Sequence, residues 1–369
     1  WVSLPLCVTC MYTWVCRWNA CAVLLEKRCG AQQRRRALAM ASSTGAFLSE
    51  HFETESLKTE IFCAKFSPDS LYCACGCGDG TVKVFASSNG QLMYTLDLKP
   101  AKGPSLPITC IRFRPTGGSK AKNVILVASP NGTVEHWHMS SSKRMNSIEE
   151  KGNQIFALDY HPSGTTFASC GSDHKIRIYD EATKELLNVM EGGTGIDTAG
   201  HSNRVFSLKY HPQQENILLS AGWDNTIQIW DTRMDYSIRS IYGPHVCGDS
   251  LDMHENTILT GSWRAENQLQ LWDFGSGELL DTFNYPSGTG GETSIYAAQF
   301  NREGNLIASG GSGSTEGRLF NRDTHECVGT VYGFEEAIYS LDFSNDGRLL
   351  AFAGADGILS VQEVTGTLE

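Results

Sequence analysis

The first residues that suggest chemistry are a histidine, a serine and an aspartate in the middle of the chain. His201, Ser220 and Asp224 are the residue types of a hydrolase, in which a carboxylate orients a histidine and the histidine activates a serine hydroxyl. Trp230 follows soon after and adds an indole N–H, which needs an acceptor once it is buried. The four side chains could therefore form either a nucleophilic site or a hydrogen-bonded structural network.

Three cysteines at alternate positions are a second candidate. Cys73, Cys75 and Cys77 would place their thiols on one side of a strand, where they could invite a metal ion. Ligands on one strand close a tetrahedron poorly, whereas free cysteine packs well as a small apolar residue, so we expect core packing and no metal site. Cys63 and Cys110 also fall inside predicted strands, and the cysteines do not resemble the framework of a secreted protein, which favours a reducing compartment.

The elements that carry these residues are β-hairpins. Trp230 lies in the segment SAGWDNTIQIWD, where β-branched and aromatic residues alternate with polar ones, as in a strand. Asp224-Asn225 precedes this strand, and both residues tolerate the positive φ of a type I′ turn. A further strand, RVFSLKY, is predicted just upstream.

The hairpin occurs seven times, each time after a similar strand, and six of the repeats are followed by a fourth candidate strand such as GQLMYTL or GELLDTF. An aligned position in the seven hairpins holds an aromatic residue in six cases: Phe85, Trp137, Tyr179, Trp230, Trp272, Phe320 and, as the exception, Gln362. A four-stranded unit that recurs every 40 to 50 residues or so is typical of a propeller blade.

With these repeats the chain resembles the WD-repeat β-propellers over roughly residues 45 to 364. The resemblance implies an all-β protein: a single seven-bladed β-propeller of four-stranded antiparallel blades. The seventh repeat lacks an outer strand, so we expect GAFLSEHFE, residues 45–53, to pair beside it and close the ring. This gives two regions, an N-terminal tail over residues 1–44 and the propeller over residues 45–369.

In this family a histidine, a serine or threonine, an aspartate and a tryptophan form a hydrogen-bonded cluster inside a blade. The resemblance therefore assigns His201, Ser220, Asp224 and Trp230 to a structural network rather than to a hydrolase. Other repeats lack the full set, as in the fifth, where Arg264 replaces the aspartate, and we expect those blades to depend more on packing. We find no nucleophile elbow, no catalytic carboxylate pair and no cofactor fingerprint, and we expect neither enzymatic activity nor a cofactor.

The N-terminal tail differs in composition from the rest. It begins with Trp1, and Met40 is a candidate start of the native protein, so we interpret the preceding residues as disordered or untranslated. Its apolar run is short and is interrupted by Arg17, which disfavours the alternative of a membrane or targeting segment. The tail carries +5 of the net charge of −11, which leaves −16 for the propeller. An acidic body disfavours nucleic acid and favours basic partners, although such charge is often only solvated surface.

The position after the leading aliphatic residue of each first strand suggests a binding site. Five of the seven residues there are aromatic, the set being Phe62, Thr109, Phe156, Phe206, Cys247, Tyr296 and Tyr339. In the family the matching residues lie near the upper opening of the central channel, and Trp223 and Trp263 face the same side. We hypothesise a ring of aromatic side chains that takes an inserted arginine or lysine, or an apolar side chain, of a protein partner. The alternative is that these rings pack between blades.

Two functions remain open. The first is a non-enzymatic scaffold, a monomeric disc that holds proteins or peptides in a larger cytoplasmic, cytoskeletal, ciliary or nuclear assembly, without membrane or nucleic acid. The second is substrate recognition for a cullin-RING ubiquitin ligase. Trp230-Asp231-Thr232-Arg233 resembles the box by which some propellers dock on the ligase adaptor, with Asp231 and Arg233 as the docking residues. The same four-residue pattern also occurs in propellers without this role.

Overall fold

The computed structural model describes residues 43–44, 47–98, 105–115, 123–192, 200–285 and 293–365. These residues form seven antiparallel sheets, and the chain passes from one sheet to the next in sequence order. The prediction of an all-β, seven-bladed propeller is confirmed. The predictions made for residues 1–42, including the start at Met40, lie outside the described residues.

The strands are numbered along the chain, with two of them before the first blade: β1 (Ser43–Thr44) and β2 (Leu48–Glu53). Blades 1 and 2 consist of β3 (Ile61–Phe66), β4 (Tyr72–Cys77), β5 (Thr81–Ala86), β6 (Leu92–Asp97), β7 (Cys110–Phe113), β8 (Val124–Ala128), β9 (Thr133–His138) and β10 (Lys143–Glu149). Blades 3 and 4 consist of β11 (Ile155–Tyr160), β12 (Thr166–Gly171), β13 (Ile176–Asp180), β14 (Leu186–Met190), β15 (Val205–Tyr210), β16 (Ile217–Gly222), β17 (Thr226–Asp231) and β18 (Ser237–Tyr242).

The remaining strands complete the ring. Blades 5 and 6 consist of β19 (Leu251–His254), β20 (Thr257–Gly261), β21 (Leu269–Asp273), β22 (Leu279–Thr282), β23 (Ser294–Phe300), β24 (Leu306–Ser312), β25 (Gly317–Asn321) and β26 (Cys327–Val331). Blade 7 contains β27 (Ile338–Phe343), β28 (Leu349–Gly354) and β29 (Leu359–Val364). A 3₁₀ turn, Met139–Ser141, follows β9.

The ring closes as predicted. Strand β2 pairs antiparallel with β29, from Leu48 opposite Val364 to Glu53 opposite Ser360, and so supplies the fourth strand of blade 7. Strand β1 adds a fifth strand to blade 6 by pairing with β26. An N-terminal strand thus covers the edge of the last blade, which would otherwise expose unpaired backbone groups.

The turns between the second and third strands differ from the predicted type. A type I′ turn needs positive φ at both central residues, but in the turn at Asp224-Asn225 only Asn225 has it, at 62°. Asp224 instead uses its carboxylate, in which Oδ1 accepts hydrogen bonds from the backbone N–H (3.2 Å) and the hydroxyl (2.9 Å) of Thr226. We call the face that carries these turns, together with the connections between blades, the upper face. The opposite end of the blades is the lower face.

The core lies between neighbouring sheets. The aligned hairpin position, from Phe85 to Gln362, is buried in all seven blades. Cys73 and Cys75 pack with Ile61 and Leu359 between blades 1 and 7, and Cys77 is buried as well. The first strand of each blade contacts the first strands of its neighbours, so these strands surround the central channel. Within the described ranges, no helix has the length and apolar character needed to cross a bilayer.

Candidate functional site

The predicted aromatic residues sit at irregular points of the first strands. In blades 1, 3, 4, 6 and 7 the register of the first strand shifts across one residue, which is left unpaired. That residue is the predicted aromatic in every case: Phe62, Phe156, Phe206, Tyr296 and Tyr339. Because a β-bulge redirects a side chain away from the regular alternation, the bulge rather than the alternation determines where these rings point.

These rings and three others form one continuous line of contacts, which we call the aromatic arc. Its members, in spatial order, are Phe156, Phe206, Trp223, His245, Trp263, Tyr296, Tyr339 and Phe62. Phe156 stacks on Phe206 with ring centres 4.6 Å apart, and Phe62 stacks on Tyr339 at 5.5 Å. Between Trp263 and Tyr296 the link is a hydrogen bond of 3.1 Å from the indole Nε1 to the phenol oxygen. The arc runs from blade 3 through blades 4 to 7 to blade 1.

The arc is open at blade 2, so it is not the closed ring that the hypothesis described. There Thr109 takes the aromatic position, and its hydroxyl donates to the carbonyl of Ile155 at 2.7 Å. Four of the predicted rings are buried by their neighbours (Phe156, Phe206, Tyr296 and Tyr339), whereas Phe62, Trp223 and Trp263 remain partly exposed. Packing between blades therefore accounts for part of the arc, and its accessible surface is concentrated on the two tryptophans and Phe62.

Below the arc, charged side chains meet across the central channel. Asp249 lies just before the first strand of blade 5, yet its carboxylate contacts Arg112 Nη2 (2.8 Å) in blade 2 and Lys65 Nζ (2.9 Å) in blade 1. Because blade 5 is not next to either blade, these contacts cross the channel. Asp342 and Asp159 lie beside the same two cations, at 3.3 Å and 3.7 Å. We call these five residues the channel network.

Within the channel network, Asp249 and Lys65 are held in their charged forms, whereas burial raises the pKa of Asp159. Burial alone would raise the pKa of Asp249, but Arg112 and Lys65 outweigh burial and hold this pKa well below its usual range. Burial alone would lower the pKa of Lys65, which Asp249 and Asp342 raise instead. This network was not predicted from the sequence, although Lys65, Arg112, Asp159 and Asp342 occupy the same position of their first strands.

The four residues of the predicted blade cluster come together in blade 4. Trp230 Nε1 donates to Ser220 Oγ (2.7 Å), Ser220 Oγ lies 2.6 Å from His201 Nε2, and His201 Nδ1 lies 2.7 Å from Asp224 Oδ2. A single tautomer, with the proton on Nδ1, satisfies this whole chain of hydrogen bonds. Burial alone would raise the pKa of Asp224, but the hydrogen bond from His201 lowers it.

Asp224, His201 and Ser220 are hydrogen-bonded in the order of a catalytic triad, but a substrate has no access to the serine hydroxyl. The Ser220 side chain is fully buried and its hydroxyl already has two partners, so no substrate atom can reach it without unfolding the blade. The arrangement can therefore stabilise the blade but cannot carry out nucleophilic attack.

The other blades were expected to depend more on packing, and blade 3 departs from this expectation because it buries a different polar group in the same place. In blade 3 the buried Glu150 replaces the histidine, and its Oε1 accepts from Ser169 Oγ (2.5 Å) and from Tyr179 Oη (3.0 Å). In blade 5 the Trp272 indole donates to Thr260 Oγ1 at 2.9 Å. Sequence comparison with the histidine pattern missed the glutamate because a different residue type performs the same role.

The residues of the alternative hypothesis lie on the lower face, in the turn after β17. Arg233 is an exposed side chain, and its guanidinium forms two hydrogen bonds with the Asp231 carboxylate, at 2.8 Å and 2.5 Å. These hydrogen bonds also lower the pKa of Asp231. The pair is thus accessible, but it is satisfied within its own turn.

Comparisons with known proteins agree with this geometry. The family model described as "WD domain, G-beta repeat" matches residues 46–85, 142–180, 194–231 and 325–361. Similar proteins include nuclear distribution protein nudF of Aspergillus niger (29% identical; 36% of this chain and 28% of the relative) and a guanine nucleotide-binding protein subunit beta of Zea mays (26%; 55% and 53%). Actin-interacting protein 1 of Drosophila melanogaster is 23% identical over 55% of this chain and 37% of its own length. The chain thus spans about half, or less, of the length of these relatives.

Proposed function

Because this chain is a WD-repeat β-propeller, we propose that it is a non-enzymatic scaffold whose upper face holds protein or peptide partners in a larger assembly. The observation that carries this proposal is the aromatic arc, which leaves Trp223, Trp263 and Phe62 partly exposed around the channel opening. Tryptophan and other large aromatic residues are the usual anchors of protein interfaces, because each buries a large area at a low entropic cost.

The part of the arc at blades 7 and 1 suits a basic side chain of the partner. Phe62 and Tyr339 stack there, and the Asp356 carboxylate accepts a hydrogen bond from the exposed Glu335 backbone N–H at 3.3 Å. Burial and the neighbouring Glu335 raise the pKa of Asp356, so a cation that binds here relieves an unfavourable buried charge. A lysine or arginine over these rings would gain about 0.5 to 2 kcal/mol from cation–π contact.

The names of some relatives support a proposal about where such an assembly operates. Their names include nuclear distribution, an actin-interacting protein and a subunit of a guanine nucleotide-binding protein. We therefore propose a cytoplasmic or cytoskeletal assembly for this chain, with the propeller present as a single copy. The buried free cysteines Cys63, Cys73 and Cys110 fit a reducing compartment.

The test is a double substitution on the exposed part of the arc, Trp223→Ala with Trp263→Ala. Partners recovered by affinity purification or proximity labelling in cells should fall at least tenfold, while a cooperative thermal transition shows that the variant is still folded. The matched control is Leu186→Ala with Leu187→Ala, which removes two exposed apolar side chains from the rim strand β14. Partners that persist in the tryptophan variant, or that disappear only in the rim variant, would place the binding site away from the arc.

The ligase alternative rests on the exposed Asp231–Arg233 pair alone. It predicts that purified protein recovers the ligase adaptor and that Arg233→Ala abolishes this recovery. The scaffold proposal predicts no adaptor and an unchanged set of partners in Arg233→Ala, so one purification of the two proteins separates the hypotheses.

A further inference from the structure

Two different charge environments border the aromatic arc. At blades 7 and 1 the nearby charges are acidic, as described above. At the junction of blades 4 and 5 they are basic: the Arg204 guanidinium lies over the Trp223 ring, 5.4 Å from its centre, and the exposed Arg264 donates from Nη2 to Asn225 Oδ1 at 2.8 Å. Both arginines lie on the upper face, beside the tryptophans that remain partly exposed.

His245 connects the two tryptophans of this junction. Its ring stacks on Trp223, with ring centres 6.1 Å apart and planes within 14° of parallel, and it lies 6.3 Å from Trp263. Its Nδ1 lies 2.8 Å from Asn225 Oδ1. Because that oxygen also accepts from Arg264, His245 donates through Nδ1, which leaves Nε2 on the other side of the ring. Burial, and then Arg264, lower the pKa of His245.

The same junction contains a donor without an acceptor. The Trp223 indole Nε1 is buried and has no hydrogen-bond partner among the described residues. A buried N–H left in this way costs about 1 to 3 kcal/mol, and a partner's acceptor could reach it only if the Trp223 ring turned outward. Asp224 also lies near this junction and stays ionised, because hydrogen bonds from His201 and Thr226 outweigh burial and lower its pKa, and the exposed Glu266 is two residues from Arg264 in the chain. The exposed Arg264 guanidinium is therefore the positive group that a partner can approach from solvent.

We propose that this junction, formed by Arg204, Trp223, His245, Trp263 and Arg264, binds an acidic side chain of a partner peptide. The inference rests on the proposed function, and it adds a subsite of opposite sign to the one at blades 7 and 1. A carboxylate here gains a charge-assisted hydrogen bond from the exposed Arg264, while the apolar part of the same segment lies on the two indole rings. A basic side chain is disfavoured, because Arg204 already occupies the cation–π position over Trp223.

The test is a selection of random linear twelve-residue peptides displayed on phage, with the immobilised full chain as target. The wild-type protein should enrich peptides that carry aspartate or glutamate next to an aromatic or aliphatic residue. Arg264→Glu should weaken the binding of these peptides at least tenfold. The control Lys143→Glu makes the same charge change at an exposed position of the outer strand β10 of blade 2, and it should leave binding unchanged.

The outcomes separate this inference from the proposed function. An acidic consensus that is lost in Arg264→Glu and kept in Lys143→Glu supports the inference. A second outcome is that the enriched peptides lack acidic residues, bind Arg264→Glu as well as wild type and fail to bind Trp223→Ala. This outcome overturns the inference but leaves the upper face as a binding site. If no enriched peptide depends on Trp223, both the inference and the proposed site are wrong.

Discussion

Replacing Asp249 by asparagine tests whether the channel network stabilises the propeller. The substitution keeps the shape of the side chain but removes the negative charge between Arg112 Nη2 (2.8 Å) and Lys65 Nζ (2.9 Å). Removing one partner of a buried ion pair typically costs 3 to 5 kcal/mol or so, because the remaining charge is left without compensation. Two features favour the lower end of this energy range. A quarter of the Asp249 side chain is accessible to solvent, and Asp342 and Asp159 still lie beside the two cations. We therefore expect a loss of about 3 kcal/mol in the free energy of unfolding.

The assay is urea denaturation followed by tryptophan fluorescence at neutral pH, with far-UV circular dichroism as the second probe. The control is Asp281→Asn, which removes a carboxylate from a partly exposed pair with His325 and should change stability by less than about 0.5 kcal/mol. If Asp249→Asn is as stable as the control, solvent in the channel already compensates the cations, and the network has no structural role.

Three further predictions concern the blades. His201→Ala should destabilise the protein by roughly 1 to 3 kcal/mol in the same assay, because Ser220 and Asp224 each lose a buried partner, and unchanged stability would contradict the hydrogen-bonded cluster. For Glu181, burial alone would raise the pKa, but hydrogen bonds from His136 and Lys184 lower it from 4.5 to about 2. The ionised Glu181 therefore stabilises the folded protein above about pH 4.5. This contribution, up to roughly 3 kcal/mol, is lost as the pH falls towards 2. Glu181→Gln should flatten the dependence of unfolding free energy on pH in this window, and a dependence as steep as in wild type would refute the assignment. Deleting residues 41–55 removes β1 and β2 and should lower the thermal midpoint sharply, whereas an unchanged midpoint would show that the ring does not need this closure.

The repeated fold could be predicted because its determinants are local. Alternating residues and polar turns specify each hairpin, and the missing strand of the seventh repeat pointed to the closing role of residues 45–53. The turn type was wrong because Asp224 stabilises the turn through its side chain, which a preference for positive φ does not reveal. Local pattern therefore gave the strands and their order but not the detailed backbone of the turns.

The charged groups could not be predicted in the same way. Asp249 contacts Lys65 and Arg112 from the far side of the channel, and no spacing within the chain indicates which side chains meet across an opening. Glu150 was missed for another reason, since it performs the role of the blade histidine with a different functional group. Contacts such as those of Asp249 join residues of non-adjacent blades, so they can be identified only from the closed three-dimensional ring and not from the sequence.

Blade 5 shows how these two levels connect. Its first strand, β19, begins at Leu251, and in the bend just before it the Asp249 carboxylate reaches Arg112 and Lys65 across the channel. Gly248 permits this path, since a Cβ atom there would lie 2.3 Å from the carbonyl oxygen of Tyr296. The blade also lacks the aspartate of the polar cluster and presents Arg264 at that position, where it bonds to Asn225 of blade 4. Blade 5 thus departs from the repeated sequence pattern at two positions. Asp249 forms the centre of the channel network, and Arg264 belongs to the proposed acidic-peptide subsite. Departures from a repeat are expected where they serve binding.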